Sequence, residues 1–265
     1  MNDLWIAIIM GVVEGLTEFL PVSSTGHMIL AGHLLRFEGE GASTFKVVIQ
    51  FGAVLAVLVL YRRRFLGFLA VSPRRWRQPG LNILHVGAAL VPFLIAGLSI
   101  YGYMKKHLFG PTPVLIGLVA GGVLMIAADK YRRTVTAETM DEISYRQAFA
   151  IGLFQCLAVW PGFSRSGSTI SGGMLLGTSQ KAAAEFTFII SVPIMFAASA
   201  YDLYKSRAYL SAADLPLFLT GLGTAFVVAL LAIVTFLSLI KRLSLTWFAL
   251  YRFALAAVFF IILYL

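Results

Sequence analysis

Two carboxylates lie close together near the start of this otherwise apolar sequence. Glu14 and Glu18 are four residues apart, so a helix would present both on one face. Two carboxylates at that separation do not both ionise easily in a low dielectric unless a cation compensates them. Mg²⁺ and Ca²⁺ prefer such oxygen ligands and often share them with substrate phosphates. The pair therefore predicts a site for a divalent cation, Mg²⁺ or Ca²⁺.

A run of hydroxyls and an imidazole follows at once. The segment Pro21-Val-Ser-Ser-Thr-Gly-His27 contains Ser23, Ser24, Thr25 and His27 directly after a helix-breaking proline. A helix that begins after such a break offers unpaired backbone N–H groups, which bind phosphate well. A hydroxyl beside a histidine can also be a nucleophile activated by a base. The segment predicts phosphate chemistry.

A second polar segment, Ser164-Arg-Ser-Gly-Ser-Thr169, adds the hydroxyls of Ser164, Ser166 and Thr169 to a single guanidinium. The planar fork of Arg165 suits phosphate oxygens. In membrane helices a lone Ser or Thr more often bonds only to the backbone. Glu185, the third acidic residue in an apolar region, is more simply a structural partner, for example of Arg165. The clustering of acids, hydroxyls, histidine and arginine at two breaks favours the functional reading.

The composition indicates an integral membrane protein. Of the 265 residues 59% are hydrophobic and 12% charged, where a soluble domain carries about a quarter. A mean hydropathy of +0.87 leaves no room for a separate soluble domain. The net charge of +9 is explained by basic residues in cytoplasmic loops, so no nucleic-acid partner is expected. The single cysteine, Cys156, excludes an internal disulfide.

The apolar runs predict an all-α polytopic membrane protein with six full transmembrane helices. The six runs are Phe45–Leu60, Ile83–Tyr103, Val114–Ala128, Ala183–Tyr204, Leu215–Ile240 and Thr246–Leu265. Each has about the length that a bilayer needs or falls slightly short of it. Residues 4–35 and 147–178 are apolar but interrupted by Pro, Gly, Ser and ionisable groups. We interpret both as re-entrant helical hairpins with a polar kink at the tip.

Charge placement predicts the orientation. The loop after the first full span contains Arg62, Arg63, Arg64, Arg74, Arg75 and Arg77, so it is assigned to the cytoplasm. Counting spans from there puts 104–112 and 205–214 outside, and 130–146 and 241–245 inside. The first hairpin then enters the membrane from the outside.

The two interrupted regions resemble each other. Gly11-Val-Val-Glu14-Gly-Leu16 precedes Pro21, and Gly152-Leu-Phe-Gln155-Cys-Leu157 precedes Pro161, with spacings of seven and six from Glu14 and Gln155 to the prolines. Each region is followed by three full spans, and an odd number of crossings inverts the second unit relative to the first. Residues 1–130 and 131–265 are therefore predicted as inverted repeats of a single membrane domain, 1–265, with the site near the midplane.

Both polar segments resemble the signature segments of a known family. Glu14-Gly-Leu-Thr-Glu18-Phe-Leu-Pro-Val-Ser-Ser-Thr-Gly-His27 and Pro161-Gly-Phe-Ser-Arg-Ser-Gly-Ser-Thr169 are similar to those of the bacterial undecaprenyl-diphosphate phosphatases, also called bacitracin-resistance proteins. The resemblance extends over nearly the whole chain. It implies hydrolysis of undecaprenyl diphosphate to the monophosphate and phosphate, which recycles the lipid carrier for cell-wall synthesis. It also implies a bacterial cytoplasmic membrane and a site facing the periplasm.

The resemblance assigns roles to individual residues. Glu14 and Glu18 match the acidic motif linked to the divalent cation, Ser24 and His27 the catalytic pair, and Arg165 the phosphate-binding arginine. The neighbouring hydroxyls are expected to contribute to phosphate binding; they belong to Ser23, Thr25, Ser164, Ser166 and Thr169. Three nucleophiles stay open: Ser24, with His27 or a glutamate such as Glu18 handling protons; His27; and an activated water.

Two other classes of membrane protein are rivals to this interpretation. The other common type of membrane phosphatase needs a histidine after its Ser-Arg motif, and none of the four histidines lies beyond His107. A transporter or lipid flippase remains a rival, because inverted repeats are typical of transporters. The sequence leaves the oligomeric state open, a homodimer being one arrangement.

Overall fold

The computed structural model describes residues 3–37, 39–69, 80–108, 110–206, 214–240 and 242–264. These residues form eleven α-helices, with 3₁₀ turns at Met140–Glu142 and Cys156–Val159. The helices are α1 Asp3–Thr17, α2 Ser24–Leu34, α3 Glu40–Leu60, α4 Arg62–Leu69, α5 Ile83–His107, α6 Pro111–Tyr131, α7 Tyr145–Gln155, α8 Arg165–Leu175, α9 Gln180–Ser206, α10 Leu215–Leu239 and α11 Leu245–Tyr264.

Six of these helices are long and apolar enough to cross a membrane, which confirms the six predicted spans. They contain the segments Gly41–Leu60, Ile83–Ile100, Pro111–Tyr131, Gln180–Tyr201, Leu215–Leu239 and Leu245–Tyr264. Large apolar side chains point away from the protein along them, for example Leu98 with 81% exposure. A surface of that kind suits lipid rather than water. The chain is a multi-pass membrane protein.

The structure adds a short helix that the sequence did not predict. α4 lies in the loop assigned to the cytoplasm, where we expected only a connection between spans. Its Arg64 donates to Asp141 through both terminal nitrogens, one of them 2.7 Å from Oδ1. This pairing anchors α4 to the segment between α6 and α7. Arg74, Arg75 and Arg77 lie outside the described residues.

Both interrupted regions consist of two short helices around a break. The breaks are 18–23, between α1 and α2, and 156–164, between α7 and α8. The four helices have 15, 11, 11 and 11 residues, fewer than the roughly 20 that span a bilayer. Pro21 and Gly162 explain the interruptions, because proline cannot continue a helix and Gly162 has φ +88°.

Small residues let α1 and α7 pack closely against full-length helices. α1 lies on α10, where a Cβ added to Gly11 would be 2.7 Å from the Gly221 carbonyl oxygen. One added to Gly15 would be 2.8 Å from the Ala225 oxygen. α7 packs in the same way on α5, with Gly152 against the backbone of Ala89. Larger side chains at these glycines would push the first helix of each pair away from its support.

A cluster of buried aromatic rings packs against the first break. Phe19 is fully buried, and its ring meets Phe188 edge to face with the centroids 5.3 Å apart. Phe188 in turn contacts Phe236 at 6.3 Å. Truncating such a buried ring to alanine typically costs about 3–5 kcal/mol. The residue after Glu18 is therefore fixed by the core, which limits where the Glu18 carboxylate can lie.

Candidate active site

The two breaks face each other across one small cavity. Its volume is about 160 Å³, whereas a single water needs about 10–15 Å³ by the same measure. The cavity is lined by both breaks together with α3 and α9: Glu18, Ser23, Ser24, Thr25, Gln50, Ala158, Trp160, Pro161, Gly162, Ser164, Arg165 and Met195. Predicted site residues that are 140 positions apart in sequence thus share one space.

Glu18 links the two halves of the site. Its Oε1 accepts a hydrogen bond from Arg165 Nη2 at 2.7 Å, and its Oε2 accepts one from the Ser24 hydroxyl at 2.5 Å. The Glu18 and Arg165 side chains are 9% and 13% exposed, so water screens this ion pair poorly. A single carboxylate therefore contacts both a hydroxyl that could attack phosphorus and a guanidinium that could bind phosphate.

Each helix that follows a break begins with a serine in a strained backbone conformation. Ser23 has φ +72° and Ser164 has φ +74°, values that non-glycine residues rarely adopt. Such residues cost about 1–3 kcal/mol and persist only where their surroundings hold them. Ser23 Oγ accepts from the Gly26 amide at 3.5 Å, and Ser164 Oγ accepts from the Gly167 amide at 3.1 Å. Both caps turn the start of the following helix toward the cavity.

These helix starts provide donors for an anion. Within the described part of the chain, no protein group accepts a hydrogen bond from the amides of Ser24 and Thr25 in α2, or of Arg165 and Ser166 in α8. The positive ends of both helix dipoles lie at the cavity. Two helix N-termini and one arginine form an environment suited to a phosphate group.

Glu14 lies one helical turn before Glu18 and is completely buried. Among the described residues, neither of its carboxylate oxygens has a hydrogen-bond partner. A buried carboxylate of this kind must be protonated or compensated by a cation. Glu14 and Glu18 together fit an ion that takes one or two protein carboxylates and completes its shell with substrate oxygens and water. No group of three or more His, Cys, Asp or Glu ligands occurs in the described part of the chain.

His27 is not among the residues that line the cavity. Its Nδ1 is 2.8 Å from the Ser23 carbonyl oxygen, and its Nε2 is 2.7 Å from the hydroxyl of Tyr251 on α11. Both ring nitrogens are thus engaged by groups other than Ser24. The structure brings His27 to the same turn as Ser24, but it is Glu18 that bonds the serine hydroxyl.

The remaining predicted hydroxyls divide between the cavity and the scaffold. Ser23, Thr25 and Ser164 line the cavity. Ser166 Oγ donates to the Leu20 carbonyl at 2.9 Å, which ties the second break to the first. Thr169 is fully buried, donates to the Arg165 carbonyl at 2.9 Å and accepts from Thr187 at 2.7 Å. Ser166 and Thr169 lie behind the site, where they support its backbone.

Arg252 on α11 fastens the two breaks to the bundle. Its side chain is fully buried, and its Nη2 donates to the carbonyls of Gly162 at 2.8 Å and Phe163 at 3.0 Å. Further carbonyl contacts reach the first break and α6; they are Pro21, Gly117 and Leu118. Within the described residues no carboxylate pairs with this guanidinium. Apart from a contact between Nη1 and the Met125 sulfur at 3.6 Å, its N–H donors are directed at the backbone around the cavity.

The match to known proteins covers almost the entire chain. The family model described as bacitracin resistance protein BacA matches residues 7–258. The chain belongs to the BacA family. The matched range includes both breaks and all the cavity residues.

Two curated relatives are similar over the same length. An undecaprenyl-diphosphatase 1 from Bacillus thuringiensis and one from Bacillus cereus are each 51% identical over 259 residues, which is 98% of this chain and of each relative. This BacA family member is therefore similar to both relatives over nearly the whole of each chain.

Three residues of this BacA family member escaped the sequence reasoning. Arg252 is an ionisable residue inside an apolar span, a signal of function that the sequence does carry. Tyr251 carried no such signal, because tyrosine is common in membrane helices near interfaces. Gln50 on α3 lines the cavity, and an amide at membrane depth is a weaker form of the same signal. By contrast Glu185, read as a structural residue, is half-buried near Lys181 and Arg64, while Arg165 pairs with Glu18.

Proposed function

We propose that this protein hydrolyses undecaprenyl diphosphate to undecaprenyl phosphate and inorganic phosphate in the bacterial cytoplasmic membrane. The recycled lipid carrier then serves cell-wall synthesis, and the activity contributes to bacitracin resistance. Support comes from the names of two full-length relatives and from the BacA family match. The observation that carries the proposal is the Glu18 carboxylate, which bonds Ser24 on one oxygen and Arg165 on the other.

In the proposed reaction Ser24 is the nucleophile. As Ser24 Oγ bonds to the terminal phosphorus, its proton passes to Glu18 Oε2, and the P–O bond to undecaprenyl phosphate breaks. Water then attacks the phosphoserine, the Ser24 Oγ–P bond breaks, and Glu18 returns the proton to Ser24. A carboxylate 2.5 Å from the hydroxyl is already within reach for this transfer.

Arg165 and the helix starts stabilise the charge that develops on phosphorus oxygens. Arg165 uses Nη2 for Glu18, and its Nη1 reaches the Ser191 carbonyl at 3.5 Å, so each terminal nitrogen keeps a second N–H for phosphate. The first amides of α2 and α8 point at the same space. Fixed donors of this kind need no reorganisation during the reaction, which makes them effective catalysts.

Glu14 and Glu18 would hold a divalent cation, Mg²⁺ or Ca²⁺. When bound, such an ion supplies positive charge to the diphosphate oxygens. The fit rests on the Glu14 oxygens, which are buried without a protein partner in the described residues. Arg165 can compensate only one of the two carboxylates, so the second needs a proton or a cation.

His27 as nucleophile and direct attack by water are the alternatives. The engagement of both His27 ring nitrogens, with Ser23 and Tyr251, favours Ser24 over His27. Acid quenching during turnover of substrate labelled in the terminal phosphate would trap a phosphoenzyme. Label on Ser24 supports the proposal. Label on His27 would make His27 the nucleophile, and label on neither residue would indicate direct attack by water.

We also propose that the two helix pairs are re-entrant hairpins of an inverted repeat. Elements in corresponding positions pack on each other: α3 on α9 and α6 on α11. The first helix of each hairpin packs on a spanning helix of the other repeat: α1 packs on α10, and α7 packs on α5. The strained serines also correspond, because Ser23 follows Glu14 by nine residues and Ser164 follows Gln155 by nine. Charge placement in the loops supports a site that opens to the periplasm.

The decisive experiment uses purified protein in detergent, where there is no membrane to cross. Phosphate release from a polyprenyl diphosphate, lost in Ser24→Ala and strongly reduced in Arg165→Ala, supports the enzyme. Full activity of Arg165→Ala at both limiting and saturating substrate would show that Arg165 does not bind phosphate. If no phosphate is released in detergent and the protein shows ion-coupled uptake into vesicles, the protein is a transporter and not a phosphatase.

A further inference from the structure

The contact between His27 and Tyr251 joins α2, the helix that begins at the first break, to the last described helix. The two residues are 224 positions apart, and the Tyr251 hydroxyl is 2.7 Å from His27 Nε2. Their rings are nearly parallel, with an angle of 8° and a centroid distance of 5.6 Å. The catalytic scheme above makes no use of Tyr251.

The partners of His27 settle which ring nitrogen carries the proton. Nδ1 lies 2.8 Å from the Ser23 carbonyl oxygen, which can only accept a hydrogen bond. Nδ1 therefore donates, and in the neutral ring Nε2 is left with a lone pair. The Tyr251 hydroxyl, 2.7 Å away, then donates to Nε2. One tautomer of His27 satisfies both neighbours.

The second break shows what the Nδ1 bond alone achieves. Ser168 follows the strained Ser164 by four residues, as His27 follows the strained Ser23 by four. Ser168 Oγ donates to the Ser164 carbonyl at 2.8 Å, the same distance as from His27 Nδ1 to the Ser23 carbonyl. A serine is thus sufficient to hold the carbonyl of a strained serine. The imidazole at position 27 has a second ring nitrogen, Nε2, and this nitrogen reaches the Tyr251 hydroxyl.

We propose that Tyr251 is a positioning residue of the active site, which acts through His27 on the turn that presents Ser24. Its hydroxyl donates to Nε2 and so stabilises the Nδ1–H tautomer that the Ser23 carbonyl also requires. His27 Nδ1 then holds that carbonyl, and Ser23 directly precedes the nucleophile. The proposal rests on the phosphatase function only for its effect on turnover. The link between hydroxyl and tautomer stands independently of that function.

Tyr251→Phe removes one hydroxyl and keeps the ring that stacks on His27. We expect kcat to fall by about three- to tenfold with KM little changed, the loss expected for one neutral hydrogen bond. Tyr264→Phe is the matched control, because it removes a hydroxyl on the same helix that bonds Thr112 at 2.6 Å, away from the site. The control should retain wild-type kcat. Equal kcat in Tyr251→Phe and wild type would overturn the positioning role.

A double-mutant cycle with His27→Ser tests whether Tyr251 acts through His27. The serine can still hold the Ser23 carbonyl, as Ser168 does in the second break, but cannot reach Tyr251. Adding Tyr251→Phe to His27→Ser should therefore lower kcat no further. If the fold-losses in kcat of the two single variants multiply in the double variant, Tyr251 does not act through His27.

Nitrogen-15 NMR of histidine-labelled protein in detergent gives a readout that does not depend on activity. His27→Ser identifies the His27 signals among the four histidines. Wild type should show the Nδ1–H tautomer, and Tyr251→Phe should populate the Nε2–H form as well. An unchanged tautomer in Tyr251→Phe would overturn the proposal even if the phosphatase assay succeeds. If that assay fails for wild type, the tautomer shift still tests the link.

Discussion

The Ser24 hydroxyl donates a hydrogen bond to Glu18 across 2.5 Å, although the two residues lie on opposite sides of the first helix break. They are six positions apart in sequence, and the strained Ser23 directs the chain back toward the carboxylate. The break is thus the feature that forms the proposed nucleophile–base pair. A continuous helix would place residues 18 and 24 on different faces.

Replacing Glu18 by glutamine should abolish most of the activity. The amide keeps the size of the carboxylate but cannot take the Ser24 proton, and a lost general base reduces kcat by about 10²–10⁴-fold. Phosphate release in detergent measures the effect. Glu138→Gln, an exposed position in the segment after α6, is the control for loss of an acidic charge and should behave as wild type. Activity of Glu18→Gln within twofold of wild type would exclude Glu18 as the base.

Arg252→Met should lower both the thermal stability and the activity. The apolar side chain leaves buried carbonyls without donors, and each such group costs about 1–3 kcal/mol. The substitution also removes the cost of burying the Arg252 charge, and this offsets part of the loss in stability. Thermal unfolding in detergent should show a clear fall in Tm, whereas Arg242→Met, at an exposed position, should leave it unchanged. If Arg252→Met has the Tm and the turnover of wild type, the contacts of Arg252 with the carbonyls neither stabilise the protein nor position the two breaks.

Gln50 should contribute to substrate binding, since its side chain lines the cavity from α3. Gln50→Leu should raise KM by about tenfold, the effect of losing one hydrogen bond to a charged group. Gln50→Glu should raise KM further, because a carboxylate repels the diphosphate. Gln180→Leu is the remote control, as Gln180 bonds the Leu243 carbonyl. A KM unchanged in both Gln50 variants would place the substrate elsewhere.

The Arg64–Asp141 pair should make stability depend on pH. Burial alone would raise the pKa of Asp141, but hydrogen bonds from Arg64 and from the Leu81 amide outweigh it and hold the pKa below its usual range. Because the folded-state pKa is depressed, the stabilisation is complete above the unfolded value of about 3.9 and is lost as the pH falls through the folded-state pKa. Between pH 7 and pH 3 the Tm of Asp141→Asn should therefore fall less than that of wild type. Parallel Tm–pH curves would refute the assignment.

The sequence predicted the spans well because length and apolarity determine them. The prediction of Leu215–Ile240 differs from α10 by one residue. The breaks were also predictable, since Pro21 and the Gly-Ser segments interrupt helices for local reasons. α4 was missed because its charged residues resemble a loop, and its anchor, Asp141, lies 77 residues away from Arg64.

The details of the site depended on packing that the sequence does not show. Glu18, Ser24 and Arg165 were all predicted, but the arrangement in which Glu18 bonds both partners required coordinates. The rotation of α11 about its axis decides that Tyr251 and Arg252 face the breaks. No local pattern in an apolar span fixes that rotation. The register of the proposed repeat rests on the strained serines Ser23 and Ser164, since the prolines are offset by one residue.

The contacts of Arg252 have a consequence for biosynthesis. Glu14 and Glu18 belong to the first part of the chain, whereas Arg165, the partner of Glu18, is made about 150 residues later and Arg252 almost 90 residues after that. Until α11 inserts, the carbonyls of both breaks lack their donor. A ribosome-bound chain that has not yet released α11 therefore holds every proposed catalytic side chain but lacks the guanidinium that bonds the carbonyls of both breaks. The described contacts between the two breaks are therefore completed last, by a helix that carries none of the proposed catalytic side chains.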